Sequence, residues 1–441
     1  MIEERDFELD EFDQEDESWE ELETDEKTAF IVAIVRQNEA SADVEASLDE
    51  LERLADTAGI MVLGRYTQKR NQPERSTYFG RGWLNEIAEK MHQAQAELLI
   101  VNEELSPIQG RNIEKQFSIT VIDRTEVILS IFHDHARTRE ARLQVKLAEL
   151  EYQLPRLRKL WGHFDKERGS MRAKGGAASR GMGEKQIEID KRLIRQQIRR
   201  VTHWIETVTH QKETQRKGRD KTLKLCLVGY TNAGKSTLFN ALTGAGVLVE
   251  DKLFATLDST SRQLKLSTGQ PLVISDTVGF ISRLPHHLVA SFRATLMEVR
   301  DADLLLHMVD VSDERFEYYI DQVNLVLNEI GADQLPQILV LNKIDLLDAT
   351  YLTLLKRRFP WAVFISASQQ DRIPDLLSRV EQALLDTRQL TLHLPFDQGG
   401  LASRLHEIAD IHTEEYREDG IWLQLSLSGR DLRLVEKYIV E

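Results

Sequence analysis

One loop constrains this chain more than any other feature. Gly229, Tyr230, Thr231, Asn232, Ala233, Gly234, Lys235 and Ser236 spell G-x-x-x-x-G-K-[ST]. An apolar run, Leu223 to Val228, precedes it, and a helix-like stretch from Thr237 to Leu242 follows. That strand–loop–helix setting is what a phosphate-binding loop requires. The spacing has a physical reason. Glycines let successive backbone N–H groups curl round phosphates, and the following helix points its positive end at them. Lys235 is placed to neutralise the β and γ phosphates, and the Ser236 hydroxyl to bind Mg2+. Such a loop predicts an α/β domain with a mostly parallel sheet.

Further motifs select the base. Asp276, Thr277, Val278 and Gly279 follow the apolar run Leu272 to Ser275. Asp276 sits where a strand-end carboxylate would hold Mg2+ through water, and the Gly279 amide where it would sense the γ-phosphate. Asn342, Lys343 and Asp345 follow Ile338 to Leu341. A carboxylate at Asp345 accepts from guanine N1 and N2, a donor pair that adenine lacks. Ser366, Ala367 and Ser368 follow Val363 to Ile365 and can offer an amide to the guanine oxygen. Any one of these short motifs is compatible with an ordinary surface loop. Their order, each behind a strand, points to a guanine-nucleotide pocket. Phe254, Ala255 and Thr256 lie between the phosphate loop and Asp276, with Thr256 the candidate switch threonine completing the metal shell. The expected catalytic residues are Lys235, Thr256 and Gly279, and the expected metal ligands Ser236, Thr256 and Asp276. Asn232 fits either a monovalent cation such as K+ between the phosphates or a hydrogen bond that only stabilises the loop. Position 280 is Phe, which cannot orient a water as a Gln there would, so slow intrinsic hydrolysis accelerated by a partner is expected.

The remaining 441-residue chain divides by pattern. Runs at 29–35, 60–62, 97–101 and 119–122 read as strands, alternating with helices near 47–58, 83–91 and from Ser106-Pro107 onward. They predict a second α/β domain with a parallel sheet over 28–134. Leu143, Leu147, Leu150, Leu154, Leu157 and Trp161 are spaced as a coiled-coil seam, as are Ile194, Ile198, Val201, Ile205 and Val208, one heptad after Ile187. An antiparallel helical hairpin over 135–210 is therefore expected, with Pro155 kinking its first arm and a glycine-rich loop over 162–185. A linker at 211–221, the P-loop domain at 222–388 and a small α+β domain at 389–441 complete the division. That last part has strand-like runs at 390–394 and 421–427 and helices near 402–409 and 432–438.

Charge separates along the chain. The net charge is -16. Residues 1–26 hold 15 Asp/Glu and one Arg, which reads as a disordered acidic tail over 1–27. Residues 136–221 hold 23 Lys/Arg and 11 Asp/Glu. A basic segment in an acidic chain points to a nucleic-acid contact; the alternative is a solvated helix face laced with ion pairs. The candidate RNA contacts are Arg168, Arg172, Lys174, Arg180 and Lys185. No apolar run reaches the ~20 residues of a membrane helix, the N-terminus has no secretory pattern, and one cysteine, Cys226, allows no internal disulfide. A cytoplasmic setting is the expectation, with Cys226 a small core residue.

With these motifs behind a basic hairpin, the chain resembles the HflX family of ribosome-associated GTPases. The likeness rests on Phe79-Gly-Arg-Gly82, Glu103 to Pro107 with Gln109, Arg111 and Asn112, Asp123-Arg-Thr125, Thr138-Arg-Glu140, Leu143-Gln-Val145, Leu154 to Leu157, Gly175-Gly176, Arg180 to Glu184 and Asp190 to Arg192. The runs Phe254 to Asp258 and Asp276 to Phe280 match as well, so Phe280 is normal for the group. The resemblance implies binding of the large ribosomal subunit and its rRNA, faster GTP hydrolysis there, and in several members the splitting of ribosomes. Ala177 and Ala178 stand where the family loop usually has Ile-Gly, and Met182 where it has Pro. A switch acting on a protein effector and an RNA-binding remodeller remain the other readings. A monomer is expected, because the two hairpin arms satisfy each other, and RNA rather than DNA is the expected nucleic acid.

Overall fold

A computed structural model describes residues 27–37, 40–156, 180–216, 222–244, 253–254, 260–282, 298–385, 387–417, 419–428 and 432–440. The acidic stretch 1–26, and Arg168, Arg172 and Lys174 of the glycine-rich loop, lie outside them. The chain forms two compact units divided after Val127.

The first unit is built on β1 (Lys27–Val35), β2 (Ile60–Lys69), β3 (Leu98–Val101) and β4 (Thr120–Asp123), in the order β2-β1-β3-β4. Every pair is parallel. Central β1 is buried from Ala29 to Ile34, as a strand covered on both faces must be. The crossovers are α1 (Ser41–Thr57), α2 (Arg81–Ala94) and α3 (Pro107–Phe117). Leu48, Leu51 and Leu54 of α1 are fully buried, as their spacing predicts. Ser106 and Gln109 form a capping box at the start of α3, with Pro107 in the first turn. At the C-terminal edge the side chains bond to one another. Arg124, at the start of α4 (Arg124–His135), reaches Asn102 Oδ1 at 3.2 Å and Glu50 Oε2 at 2.6 Å. Asn102 Nδ2 donates to Ser47 Oγ at 2.8 Å. The Asp123 carboxylate accepts from the Leu105 and Glu126 amides.

In the second unit, α5 (Arg139–Gln153) packs along α6 (Arg180–Arg216). Thr138 caps α5 by accepting from the Ala141 amide. The seam is legible in the burial: Leu143, Leu150 and Val201 are buried, and Leu147, Ile194, Ile198, Ile205 and Val208 half-buried. Helix α5 ends at Gln153, ahead of Pro155, which has no N–H to continue it; the rest of the expected first arm, with Leu157 and Trp161, lies outside the described residues. The expected bounds of the loop and the linker need correction. Helix α6 runs from Arg180 through Arg216, so it takes in the end of the expected loop, with Arg180 and Lys185, and the start of the expected linker. Once nucleated, a helix gains one hydrogen bond per residue, which offsets Gly181 and Gly183.

The nucleotide-motif sheet comprises β5 (Leu223–Gly229), β6 (Thr260–Lys265), β7 (Pro271–Asp276), β8 (Leu304–Asp310), β9 (Gln337–Asn342) and β10 (Val363–Phe364). Its order is β10-β9-β8-β5-β7-β6, parallel except for β6. Helices α7 (Lys235–Thr243), α8 (Phe316–Glu329), α9 (Ala349–Arg358) and α10 (Ile373–Leu385) flank it. One face buries Leu225, Leu227, Leu306 and Met308 against Leu238, Leu376 and Val380; the other buries Val309, Phe316, Leu341 and Leu355. Cys226 lies in central β5, buried, and desolvation raises its thiol pKa well above the ordinary value.

The chain ends in β11 (Thr387–Leu394), α11 (Gly399–Ile408), β12 (Asp410–Arg417), β13 (Gly420–Ser428) and the short α12 (Leu432–Val435). The sheet order is β11-β13-β12, antiparallel throughout. Strand β12 is absent from the sequence reading. It is a polar edge strand, and exposed residues such as His412, Glu415 and Tyr416 hide the usual apolar alternation.

Candidate functional site: the phosphate loop and the C-terminal edge of the six-stranded sheet

Strand β5 delivers Gly229 to the edge with φ near +154°, where a side chain would run into the Met308 carbonyl of β8. The chain then turns through Asn232 (φ 60°) and Gly234 (φ 90°) into α7. Backbone bonds tie this loop to the strand-end run after β7. The Thr231 amide donates to the Phe280 carbonyl at 2.7 Å, and the Phe280 amide to the Gly229 carbonyl at 3.1 Å. The Phe280 ring is buried.

This zipper brings the polar groups together. Lys235 is buried, and its Nζ donates to the carbonyls of Tyr230 (2.8 Å) and Gly229 (3.2 Å). Desolvation pushes its pKa down to about 8, against the opposing pull of Asp276. Asp276 is fully buried at the end of β7. Burial raises its pKa, while Lys235 and the Ser236 hydroxyl lower it. Ser236 Oγ donates to Asp276 Oδ2 at 2.6 Å; Oδ1 finds no hydrogen-bond partner among the described residues. Gly279 backs directly onto this cluster: a Cβ there would stand 2.8 Å from Thr231 Cγ2 and 3.0 Å from Lys235 Nζ. Thr277 Oγ1 donates to the Leu227 carbonyl at 2.7 Å, fixing the turn from behind. Thr237 is half-buried in the first turn of α7, and Val278 is buried in the run before Gly279.

The base-reading motifs converge on the same edge. Asn342 is buried and works as a brace: its Nδ2 donates to the Ala233 carbonyl at 2.9 Å, and its Oδ1 accepts from the Ala367 amide at 3.0 Å. Phosphate loop and Ser366–Ser368 loop are thus joined through one side chain. Lys343 takes φ 64° and pairs with Asp310 at 2.7 Å. Asp345 is exposed on the 3-10 turn Ile344–Leu346. Ser366 Oγ lies 3.2 Å from Ser368 Oγ and accepts from the Gln369 amide.

Of the intervening run, Phe254 is buried at φ 57°, its ring 4.7 Å from Phe132 of α4. Ala255 and Thr256 lie outside the described residues. Sequence reasoning missed three supports: Asp310 holding Lys343, the Tyr319 ring of α8 packed against Tyr230 at 4.3 Å and tilted by 30°, and the Tyr230 hydroxyl accepting from the Ser282 amide at 2.5 Å. None carries a local signal, because each partner comes from a different strand or helix.

Known proteins share long stretches of this sequence. Residues 45–133 match the family model described as GTP-binding GTPase N-terminal, 135–219 the GTP-binding GTPase Middle Region, and 224–343 the 50S ribosome-binding GTPase model. A GTPase HflX of Caldanaerobacter subterraneus is 39% identical over 96% of each chain. The chain belongs to the HflX family of GTPases. The Escherichia coli GTPase HflX is 42% identical over 88% of this chain and 91% of its own, and that of Magnetococcus marinus 41% over 86% and 88%. As an HflX GTPase the chain binds and hydrolyses GTP. P-loop GTPases of this kind generally use Mg2+, and the donors at hand suit it. Ser236 and Asp276 offer oxygens alone, one of them a buried carboxylate oxygen without a hydrogen-bond partner among the described residues. Among the described residues of this HflX chain no helix is long and apolar enough to cross a membrane.

Proposed function

We propose that this GTPase works on the large ribosomal subunit in the cytoplasm, as a monomer that splits stalled or idle ribosomes and uses GTP hydrolysis to time its release. The observation that carries the reading is the separation of charge: a segment with 23 basic and 11 acidic residues, spanning the hairpin, in a chain of net -16. A basic loop on a stiff two-helix arm can reach phosphates and unstacked bases inside folded RNA. The match over 224–343 to a model described as 50S ribosome-binding GTPase supports it.

Within the pocket, the amides of Gly229 to Thr237 would wrap the phosphates, with Lys235 released from the loop carbonyls to the β and γ oxygens. Ser236, Asp276 and Thr256 would hold Mg2+, whose charge supplies electrostatic stabilisation of the transferring phosphoryl group. Asn232 would face a K+ ion or brace the loop. Thr277, Val278 and Gly279 would follow the γ-phosphate, and Phe254 and Ala255 would carry Thr256 to it. Asn342, Lys343, Asp345, Ser366, Ala367 and Ser368 would read guanine. The buried Phe280 ring leaves water orientation to another group, consistent with slow turnover until the ribosome contributes. Arg168, Arg172, Lys174, Arg180 and Lys185 would meet rRNA.

The test is GTP hydrolysis by the purified protein, alone and with large subunits, at two salt concentrations. Strong, salt-sensitive stimulation is expected. Stimulation by free RNA alone would favour an RNA remodeller. Indifference to both would favour a switch acting on a protein effector.

A further inference from the structure

The edge of the six-stranded sheet away from β6 holds a feature that the nucleotide site does not use. A cleft of about 460 Å3 runs beside edge strand β10, between the end of α9 and the start of α10. Its lining combines aromatic rings with cations: Phe359, Trp361 and Phe364 with Lys356, Arg372 and Arg379. Trp361 is 62% exposed, a large apolar surface for water to cover. Its ring lies edge-on to Phe359 at 5.7 Å, so packing holds one side of the indole while much of the ring stays open.

The charges around it are unevenly engaged. Arg372 is bound to Asp375 at 3.1 Å, Arg358 to Glu317 at 2.6 Å, and Arg379 to Gln382 at 2.8 Å. Lys356 and Arg379, both exposed, make no ion pair among the described residues; Lys356 lies over the Phe364 ring at 5.9 Å. In a chain of net -16, three cations, Lys356, Arg372 and Arg379, against one carboxylate, Asp375, in a cleft with an open tryptophan are a local reversal of sign.

We propose that this cleft is a second nucleic-acid contact, taking a single-stranded RNA segment with one base stacked on Trp361 and adjacent phosphates on Lys356 and Arg379. An aromatic face flanked by cations that no carboxylate neutralises is the pairing that single strands use. RNA loops and bulges present such unstacked bases. An acidic peptide adding as a strand is the weaker fit, since β10 has two residues and offers few backbone groups for a ladder. The inference stands apart from the hairpin reading, because it concerns another element and another set of residues.

The experiment uses the full chain with Arg172, Lys174 and Arg180 replaced by Ala, which removes three of the candidate hairpin contacts. Binding of a fluorescent eight-nucleotide oligouridine is followed by anisotropy across a salt series. Residual binding is expected. Adding Trp361→Ala should weaken it about 10-fold, the order contributed by one stacked base. Adding Lys356→Ala with Arg379→Ala should lower the log–log salt slope by about 1.4, for two phosphates of a single strand. An unchanged melting temperature shows that these exposed positions do not affect folding. Absence of residual binding, or an affinity and slope indifferent to all three residues, overturns the proposal. So does displacement of the oligomer by a poly-glutamate peptide that binds more tightly.

Discussion

The chain contains two parallel sheets, and their C-terminal edges are finished in opposite ways. In the four-stranded sheet the edge closes on itself: Glu50, Arg124, Asn102 and Ser47 form one buried chain of contacts. In the six-stranded sheet the edge is held open by left-handed turns at Asn232, Gly234 and Lys343. A buried ammonium there rests on its own loop's carbonyls, and a buried carboxylate keeps one oxygen without a partner among the described residues. The same architecture thus gives a stabilising plug in one place and a ligand cradle in the other. The left-handed turns that shape the phosphate loop, not sheet topology, mark which edge does chemistry.

Four changes break or sharpen that contrast. Lys235→Ala should cut kcat/KM for GTP on the order of 10³-fold or more while leaving the melting temperature nearly unchanged. Wild-type turnover would mean that the open edge is not the active one. Arg124→Met should do the reverse, costing about 3–5 kcal/mol of stability in the first unit by taking its guanidinium partner from the largely buried Glu50 carboxylate. Denaturant unfolding measures it, and pairing the change with Glu50→Leu should recover most of the loss. If both single and double variants behave as wild type, the plug contributes nothing.

The third change is pH. His307 is buried in β8, and desolvation lowers its pKa to about 4, partly opposed by a hydrogen bond with Gln337. The unfolded chain takes up that proton first, near the ordinary 6.5. Stability is therefore complete above about 6.5 and drains as pH falls towards 4, by roughly 3 kcal/mol. His307→Gln should flatten this slope; a slope that persists assigns it elsewhere. The four-stranded unit has no buried histidine among its described residues, so its own acid transition should lack this component. The smallest effect is on specificity. Asp345→Asn should weaken GTP about 10- to 100-fold and favour xanthosine triphosphate, read by competition binding. Unchanged base preference would remove Asp345 from base recognition.

Much of this was legible from the chain. Strands β1 to β5, β7, β9 and β10, and the order of the nucleotide motifs, follow from apolar runs bounded by glycine and polar residues. The identity of the phosphate loop follows from eight consecutive positions. What escaped was non-local. Nothing near Asn342 announces that it will bridge Ala233 and Ala367, residues 109 and 25 positions away. The alternation in β12 is masked by its exposure. Heptad spacing found the hairpin seam yet misjudged the bounds of the second arm, since the same pattern cannot say where α6 begins or how far it runs on.

Cys226 gives the central strand a built-in clock. It is the chain's one thiol, buried on a covered face of the sheet, and a reagent can reach it only when the packing over that face opens. The rate of its labelling counts those openings without any engineered probe. Nucleotide at 100 times its Kd should slow that count about 100-fold if it binds the closed form alone.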